Sequence, residues 1–300
     1  MCGILTVVGH VDVRDFKSGL EKLKPRGPDA VSIMSKKCCM MGFTRLAING
    51  SSEGMQPFVS KNKLLTCNGE IFNHKSLEDE LEYTPKSGSD CEVLIPASDK
   101  WQFSTMCNKL DAEFAMTLYD EETDTLMVAR DPYGVRPLFW GITKCGSYMF
   151  SSELKGIVHL CTSVSQFNPG WFMVIDGFKN PTMIGYHPYK PAHVPGSISS
   201  PEPEKHVYNF LTKAVQKRLM CQNGGVCFLL SGGLDSSLVC GIAAKFSELP
   251  IHTFSIGLKG SPDNEYAEMV SKHIGSIHTS IYPTEAEFLD AIPEVIRVIE

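Results

Sequence analysis

A chain of 300 residues with 43% hydrophobic and 21% charged side chains can fill one large core or two ordinary ones, and this balance excludes wholesale disorder. A formal net charge of -6 with no basic block argues against a general nucleic-acid binder, which needs clustered Lys and Arg to displace counterions. The 11 cysteines, odd in number and without a CxxC pair, fit neither a secreted disulfide framework nor a zinc site, but suit a reducing cytosol.

In chain order, the opening MCGILTVVGH is apolar but lacks a basic flank, so no signal peptide is expected, and no run is long enough to span a bilayer. A soluble, cytoplasmic protein is the expectation. The first half predicts short strands at Gly3–Gly9, Lys63–Phe72, Glu113–Tyr119, Thr125–Arg130 and Trp171–Asp176, each apolar or alternating and bounded by turn residues. DEETD at 120–124 predicts a hairpin. Helices are expected at His74–Glu82 and Cys91–Phe103, the second capped by Ser89 or Asp90. The segment Pro188–Pro203, rich in Pro, Ser and Gly, reads as a linker between a domain at 2–187 and another at 204–300. Beyond it the pattern alternates. Helices at Glu204–Met220, from about Ser236 to Phe246, at Asn264–Ile274 and from Thr284 interleave with strands at Gly225–Leu230, Ile251–Ile256 and His278–Tyr282. This order predicts a parallel, doubly wound α/β sheet. Three strands are few for such a sheet, so the second domain is expected to be cut short at Glu300.

Several residues carry chemistry. Cys2 becomes terminal once Met1 is removed, and its own α-amine, with a pKa of about 7.7–8.0, can then accept the thiol proton. Gly3 is expected to allow a tight turn beside it. Asn68-Gly69 offers a side-chain and a backbone N–H for a tetrahedral oxyanion; the plain alternative is a hairpin turn. Arg45 is a fork suited to an α-carboxylate, and Glu70 or Asp90 can take an α-ammonium; the alternative is surface charge.

Together, MCGI, RGPD (Arg26–Asp29), TRLAI (Thr44–Ile48), NGEIFNH (Asn68–His74), GSDCE (Gly88–Glu92), ARDPYGVRPLFWG (Ala129–Gly141) and SSELKGI (Ser151–Ile157) resemble class II glutamine amidotransferases, and among them the glutamine-hydrolysing asparagine synthetases. The resemblance implies an α+β N-terminal-nucleophile hydrolase sandwich of two antiparallel sheets between helices. It also implies Cys2 as nucleophile with Asn68 and Gly69 as oxyanion hole. Glutamine contacts are implied at Arg45, Leu46, Ala47, Ile48, Asn49, Asn68, Gly69, Glu70 and Asp90. Asn49-Gly50 departs from the Val-Asp common after RLAI, which leaves the backbone contact at Asn49 less secure.

In the second half, VCFLLSGGLDSSLVCGIAAK (Val226–Lys245) reads as strand, glycine-rich loop and helix. Ser231, Gly232 and Gly233 present backbone N–H groups beside a helix N-terminus, an anion cradle without the GK[ST] of a Walker loop. SGGLDSS resembles the ATP-pyrophosphatase loop. That likeness implies ATP contacts at Leu230, Ser231, Gly232, Gly233, Asp235, Ser236 and Ile256, and a Mg²⁺ ligand at Asp235. SPD at Ser261–Asp263 is either a helix N-cap or part of that site.

The resemblance covers the whole chain. It implies ATP-dependent synthesis of asparagine from aspartate with ammonia from glutamine, through β-aspartyl-AMP, releasing AMP and pyrophosphate. The implied partners are glutamine, aspartate and Mg-ATP, with no nucleic acid or membrane; a homodimer stays open. So do a relative amidating a different carboxylate, a β-lactam synthetase, a ligand sensor, and a glutaminase alone if the chain ends at 300.

Overall fold

The computed structural model describes residues 1–48, 54–177, 181–187, 202–220 and 225–300, which divide between two compact units, 1–192 and 193–300. The predicted linker lies outside the described residues except for Glu202 and Pro203, and so does Asn49.

In the first unit the strands are β1 (Gly3–Val8), β2 (Ala30–Lys36), β3 (Cys39–Arg45), β4 (Phe58–Ser60), β5 (Lys63–Ile71) and β6 (Ala112–Asp120). They continue as β7 (Thr125–Arg130), β8 (Phe139–Thr143), β9 (Tyr148–Ser151), β10 (Cys161–Gln166), β11 (Trp171–Asp176) and β12 (Thr182–Gly185). Among the described residues they form two antiparallel sheets, ordered β10-β8-β9-β1-β3-β2 and β12-β11-β7-β6-β5-β4. The expected hairpin joins β6 to β7, with Asp124 in the left-handed region.

Strand alternation distributes the core. Leu5 and Val7 of β1 pack against Phe16 and Leu20 of helix α1 (Val13–Glu21), whose first turn Asp12 caps through the Arg14 N–H. The neighbouring residues Ile4 and Val8 point the other way, onto Leu64, Ala115 and Tyr119 of the second sheet. That sheet's outer face, with Leu65, Cys67 and Ile71, is covered by α2 (His74–Leu81), α3 (Leu94–Lys100) and α4 (Phe103–Lys109). The unit is therefore a helix–sheet–sheet–helix sandwich, as expected. A helix running unbroken over Cys91–Phe103 does not form. Pro96 lacks the N–H that would bond back to Glu92, so 90–93 is a 3-10 turn, α3 starts at Leu94, and Trp101 is extended. Ser89 makes no side-chain cap there.

Three buried hydroxyls join the sheets. Thr117 on β6 sits 2.8 Å from Thr6 on β1 and 2.7 Å from Thr66 on β5. Gly3 is paired with Thr44 inside the ladder rather than in the expected turn. A Cβ there would lie 2.6 Å from the Thr44 hydroxyl and 3.1 Å from Leu23 Cβ, so glycine is required by close approach.

The second unit holds α5 (Pro203–Met220), β13 (Cys227–Leu229), α6 (Leu234–Phe246), β14 (His252–Ile256), α7 (Pro262–Ile274), β15 (Ile277–Ile281) and α8 (Glu285–Ile299). Its strands are parallel in the order β13-β14-β15. Thr284 and Glu287 form a capping box at the start of α8, a helix with no buried residue. No described helix is long and apolar enough to cross a membrane.

Replacing Thr117 with Val keeps the shape but strips the shared partner from Thr6 and Thr66. The expected cost is about 1–3 kcal/mol for each buried hydroxyl left unsatisfied, seen as a lower midpoint in thermal unfolding. An unchanged midpoint would show that the seam contributes nothing.

Candidate active site

The alternation that builds the core also builds the site. Ile4, Thr6 and Val8 face the gap between sheets, and the same parity carries Cys2 to the end of that gap. On β3, Cys39, Met41 and Phe43 lead to Arg45; on β5, Leu64 and Thr66 lead to Asn68 and Glu70. The result is one cleft lined by Cys2, Arg45, Leu46, Ile48, Asn68, Gly69, Glu70 and Asp90, together with Met1, Gly54, Gln56, Ser89 and Arg136. Of the implied glutamine contacts, Ala47 is exposed and does not line it, and Asn49 lies outside the described residues.

The terminus is held by motifs whose roles the sequence left unassigned. Arg26 Nε donates to the Cys2 carbonyl at 3.0 Å while Nη1 meets Glu153 at 2.9 Å, an ion pair with both side chains 10% exposed. Ser152 Oγ accepts from the Ile4 N–H at 3.0 Å. Asp29 N–H donates to the Arg45 carbonyl at 3.0 Å, and its carboxylate accepts from the Ala47 N–H at 2.7 Å. RGPD and SSEL thus bracket Cys2 and the strand end that carries Arg45.

The Leu46 N–H donates to Cys2 Sγ at 3.4 Å. Burial pushes the thiol above its ordinary value, against the pull of that N–H and the terminal ammonium. Burial, helped by Arg26 and Arg136, lowers the pKa of the Met1 ammonium, which the pull of Cys2 opposes. With Met1 in place the ground state at Cys2 is accordingly the thiol rather than the thiolate.

Two donors face this thiol's end of the gap. Asn68 is 2% exposed and its Nδ2 is buried with no hydrogen-bond partner among the described residues, a position that costs stability unless something binds there. Gly69 is paired with Phe114, but the Phe114 carbonyl accepts from the Asp131 N–H and the Phe114 N–H donates to the Asp131 carboxylate, both on its other side. The Gly69–Phe114 pair is therefore not hydrogen-bonded, and the Gly69 N–H and C=O point out from the sheet edge, where the Cys91 thiol meets the carbonyl at 3.8 Å. A Cβ on Gly69 would lie 2.8 Å from both Glu113 O and Phe114 Cβ. The Asn68-Gly69 pair lies within a strand, not in a hairpin turn.

Asp90 anchors the cleft's far side by accepting the Ile71 N–H at 2.7 Å. Burial raises its pKa, opposed by that bond and by His74. Arg136 arrives on a rigid loop: Asp131 accepts from the N–H groups of Tyr133, Val135 and Arg136, each at 3.0 Å, while Arg130 donates to the Gly134 and Arg136 carbonyls. Arg26, Gln56, Ser89 and Arg136 are site residues that sequence reasoning missed. Arg26 and Arg136 sit in quoted motifs, whereas Gln56 carries no local signal.

In the second unit, Ser231, Gly232 and Gly233 follow β13, whose pairing continues through the Leu230 N–H to the Phe254 carbonyl at 2.8 Å. Gly232 has φ +80° and no room for a Cβ, which would come within 2.6 Å of Tyr266 Cβ. Helix α6 starts at Leu234, two residues earlier than expected, because extended Gly233 serves as its N-cap. The Ser236 and Ser237 hydroxyls donate back to the Gly233 carbonyl at 3.2 and 2.7 Å. Asp235 is exposed in the first turn and Ile256 is exposed at the end of β14. No cluster of three or more His, Cys, Asp or Glu suited to a metal occurs among the described residues. A single carboxylate beside a phosphate cradle fits Mg²⁺, which keeps waters and phosphate oxygens as its other ligands.

This sandwich and cleft are those of a glutamine amidotransferase. The chain belongs to the glutamine amidotransferase domain family, which matches residues 1–178, and the asparagine synthase family matches residues 206–300. The probable glutamine-hydrolyzing asparagine synthetase of Acanthamoeba polyphaga mimivirus is 37% identical across the whole chain, which spans 60% of that protein. Glutamine-hydrolyzing asparagine synthetase 3 of Arabidopsis thaliana is 36% identical across the whole chain, which spans 54% of it. The chain thus spans less than two thirds of these curated relatives. Among solved structures, the glutamine phosphoribosylpyrophosphate amidotransferase of B. subtilis matches with a TM-score of 0.55 at 18% identity, over 96% of this chain and 70% of that one, a likeness of fold.

An α-ammonium bound at Asp90 requires the ionised carboxylate. Because burial raises the Asp90 pKa, protons compete at a pH above the ordinary value of about 3.9. Glutamine affinity, measured calorimetrically on Cys2→Ala protein, is expected to weaken as pH falls through that raised value. Asp90→Asn should be weak and flat across the same range, and an unchanged slope in that variant would remove Asp90 from the site.

Proposed function

We propose that the first unit hydrolyses glutamine with the Cys2 thiol and that the second uses Mg-ATP to activate the carboxylate that receives the ammonia, with aspartate as acceptor. The observation that carries the first half is the buried, unpartnered Asn68 Nδ2 beside the outward Gly69 N–H, both at the end of the gap that holds Cys2. Removal of Met1 places a free α-amine on Cys2. That amine takes the thiol proton, and the thiolate attacks the glutamine side-chain carbonyl. Asn68 Nδ2 and the Gly69 N–H receive the oxyanion. The protonated amine returns its proton to the departing ammonia, and water then releases glutamate from the thioester. Arg45 pairs with the substrate α-carboxylate, Glu70 and Asp90 with its ammonium, and Leu46 and Ile48 line its length.

In the second unit, the N–H groups of Ser231–Gly233 and the start of α6, with Ser236, hold the pyrophosphate end of ATP. Leu230 and Ile256 flank the adenine, and Asp235 would hold Mg²⁺, whose charge offsets that of the phosphates. The acceptor carboxylate attacks the α-phosphate, releasing pyrophosphate and giving β-aspartyl-AMP; ammonia then displaces AMP. Aspartate as acceptor is supported by the names of the relatives.

The two chemistries should separate cleanly. Cys2→Ala is expected to abolish glutamine hydrolysis while Mg-ATP binding, followed calorimetrically, is unchanged. Asp235→Asn should weaken Mg-ATP binding about tenfold or more and leave hydrolysis at the level of the parent protein. Hydrolysis surviving in Cys2→Ala would sink the nucleophile assignment, and Mg-ATP binding indifferent to Asp235→Asn would move the metal elsewhere.

A further inference from the structure

Strand β5 loses its partner partway along. The β4–β5 ladder runs Ser60↔Lys63, Val59↔Leu64 and Phe58↔Leu65 and then stops. Continued by two residues, the register would set Gln56 opposite Cys67. The Gln56 backbone is turned aside, its carbonyl taken by the Ser32 hydroxyl of β2. Its side chain fills the position instead. Gln56 Oε1 accepts from the Cys67 N–H at 2.6 Å and Nε2 donates to the Cys67 carbonyl at 3.0 Å, with the residue 5% exposed and lining the cleft.

We propose that Gln56 is a positioning residue for the oxyanion donors: its carboxamide replaces the missing peptide partner at Cys67 and so fixes the strand where Asn68 and Gly69 begin. The inference rests on the reading of Asn68 and Gly69 given above. A carboxamide carries the same donor and acceptor as a peptide group, so it can close both halves of a ladder step. Asparagine is one methylene too short, and a carboxylate has no donor. On its other edge β5 is held by β6, with Asn68 opposite Ala115. The outward groups of residues 67, 69 and 71 must find partners beyond the ladder. Ile71 has Asp90, Cys67 has Gln56, and the Gly69 N–H between them is the one directed at substrate. Releasing Cys67 lets this edge tilt, and oxyanion stabilisation tolerates little displacement of its donors. Because Arg45 and Asp90 grip the other end of glutamine, the loss should fall on kcat rather than KM.

The test compares Gln56→Glu and Gln56→Met with parent protein in steady-state glutamine hydrolysis, per folded molecule. Both are expected to lose kcat by about 10- to 100-fold with KM changed by less than about threefold. In Gln56→Glu the ionised carboxylate opposes the Cys67 carbonyl, and protonation restores a donor. Its kcat relative to parent should therefore rise as pH is lowered from about 8 to 6, whereas the ratio for Gln56→Met should stay flat. Cys2, Arg45, Cys67, Glu70, Asp90 and Arg136 line the same cleft, and the uncharged Gln56→Met variant is the control for what they contribute to the pH profile. If Gln56→Met does not fold, the pH ratio of Gln56→Glu decides. Parental kcat in these variants, or a loss shared between KM and kcat with no pH recovery, would overturn the positioning role. Cys2-independent hydrolysis in otherwise unaltered protein would instead overturn the reading it rests on.

Discussion

The site depends on one interrupted sheet edge. An antiparallel strand must satisfy every second N–H and C=O outward, and β5 outlives its outer neighbour by several residues. The fold answers with side chains. Gln56 closes the step at Cys67 and Asp90 accepts from Ile71, while Gly69 between them keeps an outward N–H with no Cβ in its way. Buried polar groups of this kind rigidify a structure when satisfied and are costly when not. The Asn68 amide, without a partner among the described residues, is a buried donor whose cost an oxyanion, on the proposed reading, would offset.

The second constraint is on the terminus, which in most chains frays. Here it runs directly into β1, with Ile4 tied to Ser152 and Cys2 to the Arg26–Glu153 ion pair. A buried ion pair is weak as a source of net stability but strongly resists loss of either partner. Its use here is geometric. Arg26 holds the Cys2 carbonyl and so fixes the backbone from which the thiol reaches the Leu46 N–H.

Much of this was legible in the sequence because the chemistry sits inside contiguous motifs. Arg45, Asn68, Gly69, Glu70 and Asp90 line one cleft with Cys2, and the bounds of β7 and β11 follow directly from their alternating runs. Elsewhere tertiary structure overrode local pattern. β3 is buried along nearly its whole length, so Cys39, Met41, Gly42 and Phe43 show no alternation to read. Gly3 signals a turn by composition but serves a close approach to Thr44 that only the folded sheet creates. The Gln56–Cys67 pairing depends on where a strand stops, which periodicity does not report, and the helix expected over Cys91–Phe103 gives way to a 3-10 turn ahead of Pro96 and to an extended Trp101 after Lys100.

The account turns on one nucleophile among several thiols in the same cleft: Cys2, Cys67 and Cys91 all line it. The most direct measurement is peptide mapping after reaction with a diazoketone analogue of glutamine, with and without excess glutamine. The account predicts one label per chain, on Cys2, suppressed by glutamine. A label on Cys67 or Cys91, or labelling of Cys2 that glutamine does not suppress, would contradict it.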